Sequence, residues 1–327
     1  MFVDKIFISV IIPTYKRQTF LFKILEKLKK NFLNCKNFEV IICDSANNNS
    51  TSIKIETFKK YNNLFKITYL NIKKNLHVLK RNIGIKSATG NYIILLDDDC
   101  LPDENFIKDY YTIFKNYYFL KAVFCGSVVY PKILLKNNFI KYRSSRHFVI
   151  DTYNISNKNL DPKHIVTMNM GFKKDNNILK TRLFHQEFNH YGFEDFEFGF
   201  RLKKNNYKIY KSKPLVTHND FREFKVYLKK IYYLGSNSMK FLVKINPSAA
   251  KLNNFYKLEN NFFIKIFLKI NIIRIFLITI KEISIFLEKN FFYFPILYKI
   301  GIAAAYLEGC HDKMNSLYKK DKNMWYK

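Results

Sequence analysis

Four short apolar runs, rich in β-branched residues and separated by stretches with helical spacing, constrain this chain more than any other feature. They occupy residues 6–12, 38–43, 66–70 and 92–96. Each is nearly continuous, the pattern of strands in a parallel sheet covered on both faces. Between them, residues 18–30, 50–61 and 77–87 have amphipathic spacing, with Ser50 and Thr51 placed to cap the second stretch. Strand–helix–strand alternation specifies an α/β fold with a doubly wound, mostly parallel sheet. Such sheets bind ligands beyond the carboxyl ends of their strands. The residues of interest are therefore Pro13-Thr14-Tyr15, Asp44-Ser45-Ala46 and Asp97-Asp98-Asp99.

Beyond residue 121 the pattern is less regular. Residues 122–130 read as another strand, residues 131–163 form a polar, basic stretch, and order returns over 166–172 and 192–202. Two short strand-like runs follow, 207–210 and Val216-Thr217-His218. From about Phe221 the chain becomes helical in pattern, rich in Phe and Ile and dotted with Lys. This predicts a catalytic domain over residues 1–221 and a helical, basic and aromatic region over 222–327. No internal repeat is apparent.

Composition narrows the class. The 327 residues include 56 Lys+Arg and 26 Asp+Glu, a net charge of +30, and 48% are hydrophobic. That hydrophobicity excludes a disordered chain, and the low Gly (9) and Pro (7) counts exclude collagen-like and low-complexity classes. A charge of +30 suggests a nucleic-acid binder. The excess is mostly Lys, however, accompanied by Asn, Ile, Phe and Tyr, all with A/T-rich codons, and it is spread along the whole chain. We therefore expect no nucleic-acid partner. The five cysteines form no CxxC pair, and an odd, scattered set reads as reduced. The first apolar run lacks a signal-peptide cleavage site and reads as a strand. Both features point to a cytoplasmic location.

In so basic a chain the acids are informative. Asp97-Asp98-Asp99 follows the run Tyr-Ile-Ile-Leu-Leu. Adjacent carboxylates repel unless a cation sits among them, and their oxygens suit Mg²⁺ or Mn²⁺ shared with substrate phosphates; the plainer alternative is a solvated acidic turn. Glu194-Asp195, with Glu197 beyond, opens a helical run after Tyr191-Gly192-Phe193. Helix-dipole stabilisation would account for one acid there. A carboxylate so placed can also act as general base on a hydroxyl. His218 is either a core histidine with its hydrogen bonds satisfied or a partner for Mn²⁺ beside carboxylates. His77, His147, His164, His185, His190 and His311 lack an i, i+4 pairing and are assigned no metal. Walker A, GxSxG and GxGxxG motifs are absent.

Four pieces in order carry a family resemblance. Ile8-Ser9-Val10-Ile11-Ile12-Pro13-Thr14-Tyr15-Lys16-Arg17 resembles the opening of family 2 glycosyltransferases. Phe38-Glu39-Val40-Ile41-Ile42-Cys43-Asp44, Lys80-Arg81-Asn82-Ile83-Gly84 and the run from Ala88 to Asp99 follow in that family's order. The segment 192–202 resembles the "GFED" motif shared with the galactosyltransferase-like catalytic region of chondroitin-type polymerases. The resemblance covers about the first 220 residues.

It implies a GT-A fold that transfers a sugar, with inversion, from a nucleotide donor to a hydroxyl acceptor. Asp97 and Asp99 would be the outer acids of the DxD motif. Asp99 would bind Mn²⁺ or Mg²⁺ directly, and Asp97 would touch the donor ribose or the metal through water. Asp44 would contact the base or ribose, with Thr14 and Arg17 along the same pocket, and Arg81 would sit near the diphosphate. Asp195 would be the catalytic base, Glu194 would orient the acceptor and His218 would complete the metal shell. The two acidic clusters would work from opposite sides of one cleft. The sequence departs from the family at Ser45-Ala46-Asn47, where a second acid and a Gly are usual, and at Cys100, read here as packing.

Two rival functions remain: a basic nucleic-acid-binding protein and a GT-A nucleotidyltransferase. The second would want a Gly-rich, basic loop in place of Thr14-Tyr15-Lys16-Arg17. The apolar stretch 262–280 is interrupted by Lys265, Lys269 and Arg274, and a break is expected near Asn271. A second stretch, 291–307, contains Pro295 and Lys299. These segments read as helices packed on the catalytic domain, as interfacial helices on an anionic membrane surface, or as spans. The Lys and aromatic mixture leads us to expect peripheral association, and the family resemblance implies a glycan or lipid-linked glycan acceptor at the inner face of the membrane.

Overall fold

A computed structural model describes residues 5–46, 49–180, 183–188, 191–220, 222–290 and 293–317. Asn47, His190 and Phe221 lie outside them. One mixed sheet of eight strands has the order β3-β2-β1-β4-β7-β6-β8-β5. Its strands are β1 (Ile8–Thr14), β2 (Phe38–Asp44), β3 (Ile67–Asn71), β4 (Tyr92–Leu96), β5 (Cys100–Pro102), β6 (Ala122–Val129), β7 (Asn169–Lys173) and β8 (Lys208–His218). β3, β2, β1 and β4 are parallel neighbours, and β6 with β8 is a further parallel pair. β7 runs antiparallel to β4 and β6, and β5 antiparallel to β8.

Every residue of β1, β2 and β4 is buried, which explains their unbroken apolar runs. The core gathers Ile8, Val10 and Ile12 with Leu21, Ile24, Leu25 and Leu28 of α1 (Gln18–Asn34) and Phe106, Tyr110 and Phe114 further along. Helices α2 (Asn49–Tyr61), α3 (His77–Ser87) and α4 (Phe106–Asn116) complete this half. α2 begins one residue before Ser50. The hydroxyls of Ser50 and Thr51 accept hydrogen bonds from the Gln18 side chain, each at 2.6 Å. The chain reverses its winding between β1 and β4, the topological switch where an α/β sheet opens a crevice.

The later helices are α5 (Asn138–Ser144), α6 (Asn176–Lys180), α7 (Glu194–Lys204), α8 (Phe224–Tyr233), α9 (Met239–Ile245), α10 (Pro247–Leu252), α11 (Asn254–Glu259), α12 (Phe262–Phe267), α13 (Ile272–Asn290) and α14 (Pro295–Met314). A π-helical turn, Leu234–Ser238, joins α8 to α9. Two compact units result. The first comprises Met1–Pro131, His147–Gln186 and Phe198–Asp220; the second comprises Lys132–Arg146, Glu187–Glu197 and Phe221–Lys327. The second unit thus takes in two segments that precede the helical tail, including the first turn of α7. Within it, α14 packs against α8, α13 and the π-turn. The approach of α14 to the π-turn is tight: a Cβ on Gly235 would lie 2.2 Å from the Tyr306 carbonyl oxygen, and one on Gly309 2.1 Å from that of Tyr232. The break expected near Asn271 falls between α12 and α13. Among the described residues no helix is long and apolar enough to cross a membrane.

Candidate active site

In the first unit, β1 ends on Thr14, β2 ends on Asp44, and β4 runs into Asp97-Asp98-Asp99. These three strand ends collect the acids at one edge of the sheet. Asp98 lies deepest. Its carboxylate accepts hydrogen bonds from Thr14 Oγ1 at 2.8 Å and Arg17 Nη1 at 2.9 Å. Burial pushes its pKa up to about 6, against the opposing pull of Arg17 and Thr14. The same Arg17 nitrogen donates to Asp99 Oδ2 at 2.7 Å, so one guanidinium bridges two acids.

The other Asp99 oxygen, Oδ1, lies 3.5 Å from His218 Nε2 and 3.7 Å from Cys100 Sγ. Burial alone would raise the Asp99 carboxyl, but His218 and Arg17 outweigh it and hold it well below the usual range. The strand ladder creates this corner: β5 pairs with β8 so that Cys100 stands opposite His218. Asn219 N–H also donates to the Asp99 carbonyl at 2.8 Å. On its far side His218 Nδ1 lies 3.2 Å from the Tyr130 hydroxyl, a second partner of the kind that orients a metal-binding imidazole. Asp99, Cys100 and His218 are all buried, with potential ligand atoms within 4.8 Å of one another. The oxygen and nitrogen donors lie close enough to hold one divalent ion, whereas burial and the neighbouring acids push the Cys100 thiol well up, against its use as a thiolate ligand. Asp97 is more open, and its carboxylate accepts from Arg81 Nη2 at 2.9 Å.

Asp44 is buried; its oxygens accept from Ala46 N–H at 2.9 Å and Tyr69 OH at 3.0 Å. Lys80, fully buried, ties the strand ends together. Its ammonium donates to the Thr14 carbonyl at 2.9 Å, Asn75 Oδ1 at 2.8 Å and Ser45 Oγ at 3.2 Å. Burial lowers its pKa to about 8, with Asp98 and Asp44 pulling the other way.

Glu194 and Asp195 occupy the first turn of α7, in the second unit, where the helix dipole favours a carboxylate. The preceding backbone is left-handed at Gly192 (φ 98°) and at Phe193 (φ 70°). The positive φ favours glycine at 192, where an added Cβ would meet only the movable end of the Leu234 side chain. Phe193 has no such freedom and carries local strain of the kind found at working sites. Tyr191 is held by its carbonyl, which accepts from Ser238 Oγ at 2.6 Å, and by Lys230 over its ring at 4.9 Å.

The structure therefore brings Thr14, Arg17, Arg81, Asp97, Asp99 and His218 to one strand edge in the first unit, with Asp44 at the end of β2. Sequence reasoning missed Lys80, Tyr69 and Tyr130; it read Cys100 as packing, and Cys100 is a fully buried member of the core. A lysine on the buried side of α3 was the available signal for the first. The two tyrosines meet partners from distant parts of the chain and had none.

The family model of glycosyl transferase family 2 matches residues 9–234, more than half of the chain and inclusive of the strand-edge residues from Thr14 to His218 and of Glu194 and Asp195. The chain belongs to this family. A Methanococcus voltae dolichyl N-acetyl-glucosaminyl phosphate diacetamido-dideoxy-glucuronosyltransferase is 30% identical over 103 residues, 32% of each chain. Escherichia coli chondroitin synthase is 25% identical over 223 residues, 60% of this chain and 32% of that one. The chain thus spans about a third of the length of these two relatives. Among solved structures, the Pyrobaculum calidifontis mannosyltransferase PcManGT, in complex with GDP-Man and Mn²⁺, superposes with a TM-score of 0.57 at 13% identity, over 94% of this chain and 86% of that one. Staphylococcus aureus TarS 1-349 in complex with UDP gives 0.50 at 15% identity, over 96% and 93%. These likenesses show a GT-A fold with a helical C-terminal part.

Proposed function

We propose that this family 2 member is an inverting glycosyltransferase. It moves a sugar from a nucleotide donor, UDP-linked, to a hydroxyl of a glycan or lipid-linked glycan, in surface-polysaccharide synthesis on the cytoplasmic side of a membrane. The observation that carries the reading is the acidic corner after β4, where Asp97 and Asp99 meet Arg81, Arg17 and His218 inside the region matched to the family. The resemblance of Gly192-Phe193-Glu194-Asp195 to chondroitin-type polymerases favours UDP as the carrier.

Thr14, Arg17 and Asp44 bind the nucleoside end of the donor, and Arg81 and Asp97 lie beside the diphosphate and ribose. Mn²⁺ or Mg²⁺ held by Asp99 and His218 would neutralise charge on the leaving diphosphate. Glu194 orients the acceptor, and Asp195 takes the proton of its hydroxyl. As that oxygen bonds to the anomeric carbon, the carbon–phosphate-oxygen bond breaks and its electron pair leaves on the nucleoside diphosphate. One in-line displacement inverts the anomeric centre.

A panel of nucleotide sugars, with and without Mn²⁺, tests this by what is released. Metal-dependent release of UDP from a hexose or N-acetylhexosamine donor is expected. Release of pyrophosphate from a nucleoside triphosphate supplied with a sugar 1-phosphate, without turnover of the nucleotide sugars, would indicate a nucleotidyltransferase. DNA or RNA binding at physiological salt without donor turnover would indicate a nucleic-acid-binding protein.

A further inference from the structure

The second unit leaves an apolar face bare. On α13 the inward residues Ile273, Leu277, Ser284, Ile285 and Glu288 are buried, and the helix packs on α14. The opposite stripe is Ile272, Ile275, Phe276, Ile283 and Phe286, between 51% and 68% exposed. Their spacing of i, i+3, i+4, i+11 and i+14 sets them along one side of the helix. A surface helix normally buries one apolar stripe and shows a polar back; α13 is apolar on both sides. On the preceding α12, whose Phe267 ring lies 6.4 Å from that of Phe276, Phe262 and Phe263 are 70% and 77% exposed. Exposed apolar surface of this extent marks an interaction site.

The charges identify the occupant. Lys265, Lys269, Lys289 and Lys299 are exposed on the same stretch, and none takes part in the ion pairs found among the described residues. Arg274 and Lys281, by contrast, are held by Asp312 and Glu308 at 2.8 and 2.7 Å. The stretch contains two acids, Glu282 and Glu288, and Glu288 is buried. Phe and Ile on one face, accompanied by exposed lysines outside the ion pairs found among the described residues, are the composition of a helix that lies in a lipid interface. A second copy of this chain would bring the same cationic rim and a net charge of +30 against itself. An anionic lipid surface complements both features.

We propose that the outer face of α12 and α13 docks on an anionic bilayer, with the rings and isoleucines at the acyl boundary and the lysines among the headgroup phosphates. This deepens the membrane-side location given under Proposed function and rests on it, but not on the assignment of donor, metal or base.

Co-sedimentation of the full chain with vesicles tests it, using phosphatidylglycerol mixed with phosphatidylcholine against phosphatidylcholine alone. Strong binding to the mixed vesicles and weak binding to the neutral ones is expected. Replacing the stripe, Ile275→Ser with Phe276→Ser and Phe286→Ser, should weaken binding by about tenfold or more. Replacing the rim, Lys265→Gln, Lys269→Gln, Lys289→Gln and Lys299→Gln, should weaken binding to the mixed vesicles by about tenfold or more and leave neutral binding unchanged. All these positions are exposed, so both variants should keep the wild-type circular dichroism. Equal binding to both vesicle types, or none to either, would overturn the proposal. So would a dimer in sedimentation equilibrium that the stripe variant dissociates. Nucleotide release measured on the same samples without vesicles reports separately on the glycosyltransferase reading.

Discussion

Three neighbouring acids have three different surroundings. Asp98 is tied to Thr14 and Arg17 and pushed up to about 6 by burial. Asp99 is kept ionised by His218 and Arg17, and Asp97 is open and paired with Arg81. Buried, paired carboxylates of this kind mark functional sites. Asp195, with the strained Phe193 before it, is the residue to test for base catalysis. In Asp195→Asn, turnover should fall by about 10²- to 10⁴-fold while the donor dissociation constant stays within about threefold, measured by nucleotide release and calorimetry. A donor constant that rises as much as turnover falls would remove Asp195 from the base role. Asp97 and Asp99 were legible in the sequence because acids are scarce in this chain and these follow a strand. The juxtaposition of Cys100 with His218 was not, because it depends on a strand pairing between distant parts of the chain.

The same division holds for the elements. β4 and α3 match their sequence readings end to end, because one is buried on both faces and the other begins and ends cleanly. β8 was read as two short runs but is one strand, Lys208–His218, through Lys211 and Pro214. Lysine and proline are poor strand residues, so local propensity pointed to a gap. Tertiary structure accommodates both: the Lys211 ammonium donates to the Gly126 carbonyl at 2.8 Å, and the pairing with β6 shifts register between Cys125 and Ser127. Likewise the Ser50 and Thr51 hydroxyls bond to Gln18 of another helix. Packing also overrides propensity at Gly84 in α3. Alanine is the better helix former there by about 1 kcal/mol, but its Cβ would stand 2.4 Å from Ile11 Cγ2 and 3.1 Å from Cys43 Sγ. Ile11 is fully buried and stiff at χ1. Gly84→Ala should therefore destabilise the fold by about 1–3 kcal/mol in urea unfolding; a stabilised variant would show that α3 can move away from the sheet.

At the scale of the whole molecule, the net charge of +30 sets a background of self-repulsion and draws attention to the few acids that counter it. Glu39 is held below its usual range by Ser9 and Thr89 hydrogen bonds that outweigh burial, and Asp312 likewise by Arg274 and Tyr232. For a depressed carboxylate the stabilisation is complete above the ordinary pKa and is lost as pH falls through the folded-state value. Protonation of other acids meanwhile raises the net positive charge. The thermal midpoint should therefore drop steeply below about pH 4, and at neutral pH it should rise as salt screens the repulsion; scanning calorimetry in a pH and salt series checks both. The central claim is that the corner of Asp99 and His218 binds a nucleotide diphosphate through a divalent ion. It is tested most directly by titrating UDP into the wild type, Asp98→Asn and Asp99→Asn with and without Mn²⁺. Mn²⁺ should strengthen binding to the wild type and to Asp98→Asn, and this gain should vanish in Asp99→Asn; a metal-dependent gain that survives in Asp99→Asn, or no gain in the wild type, would contradict the account.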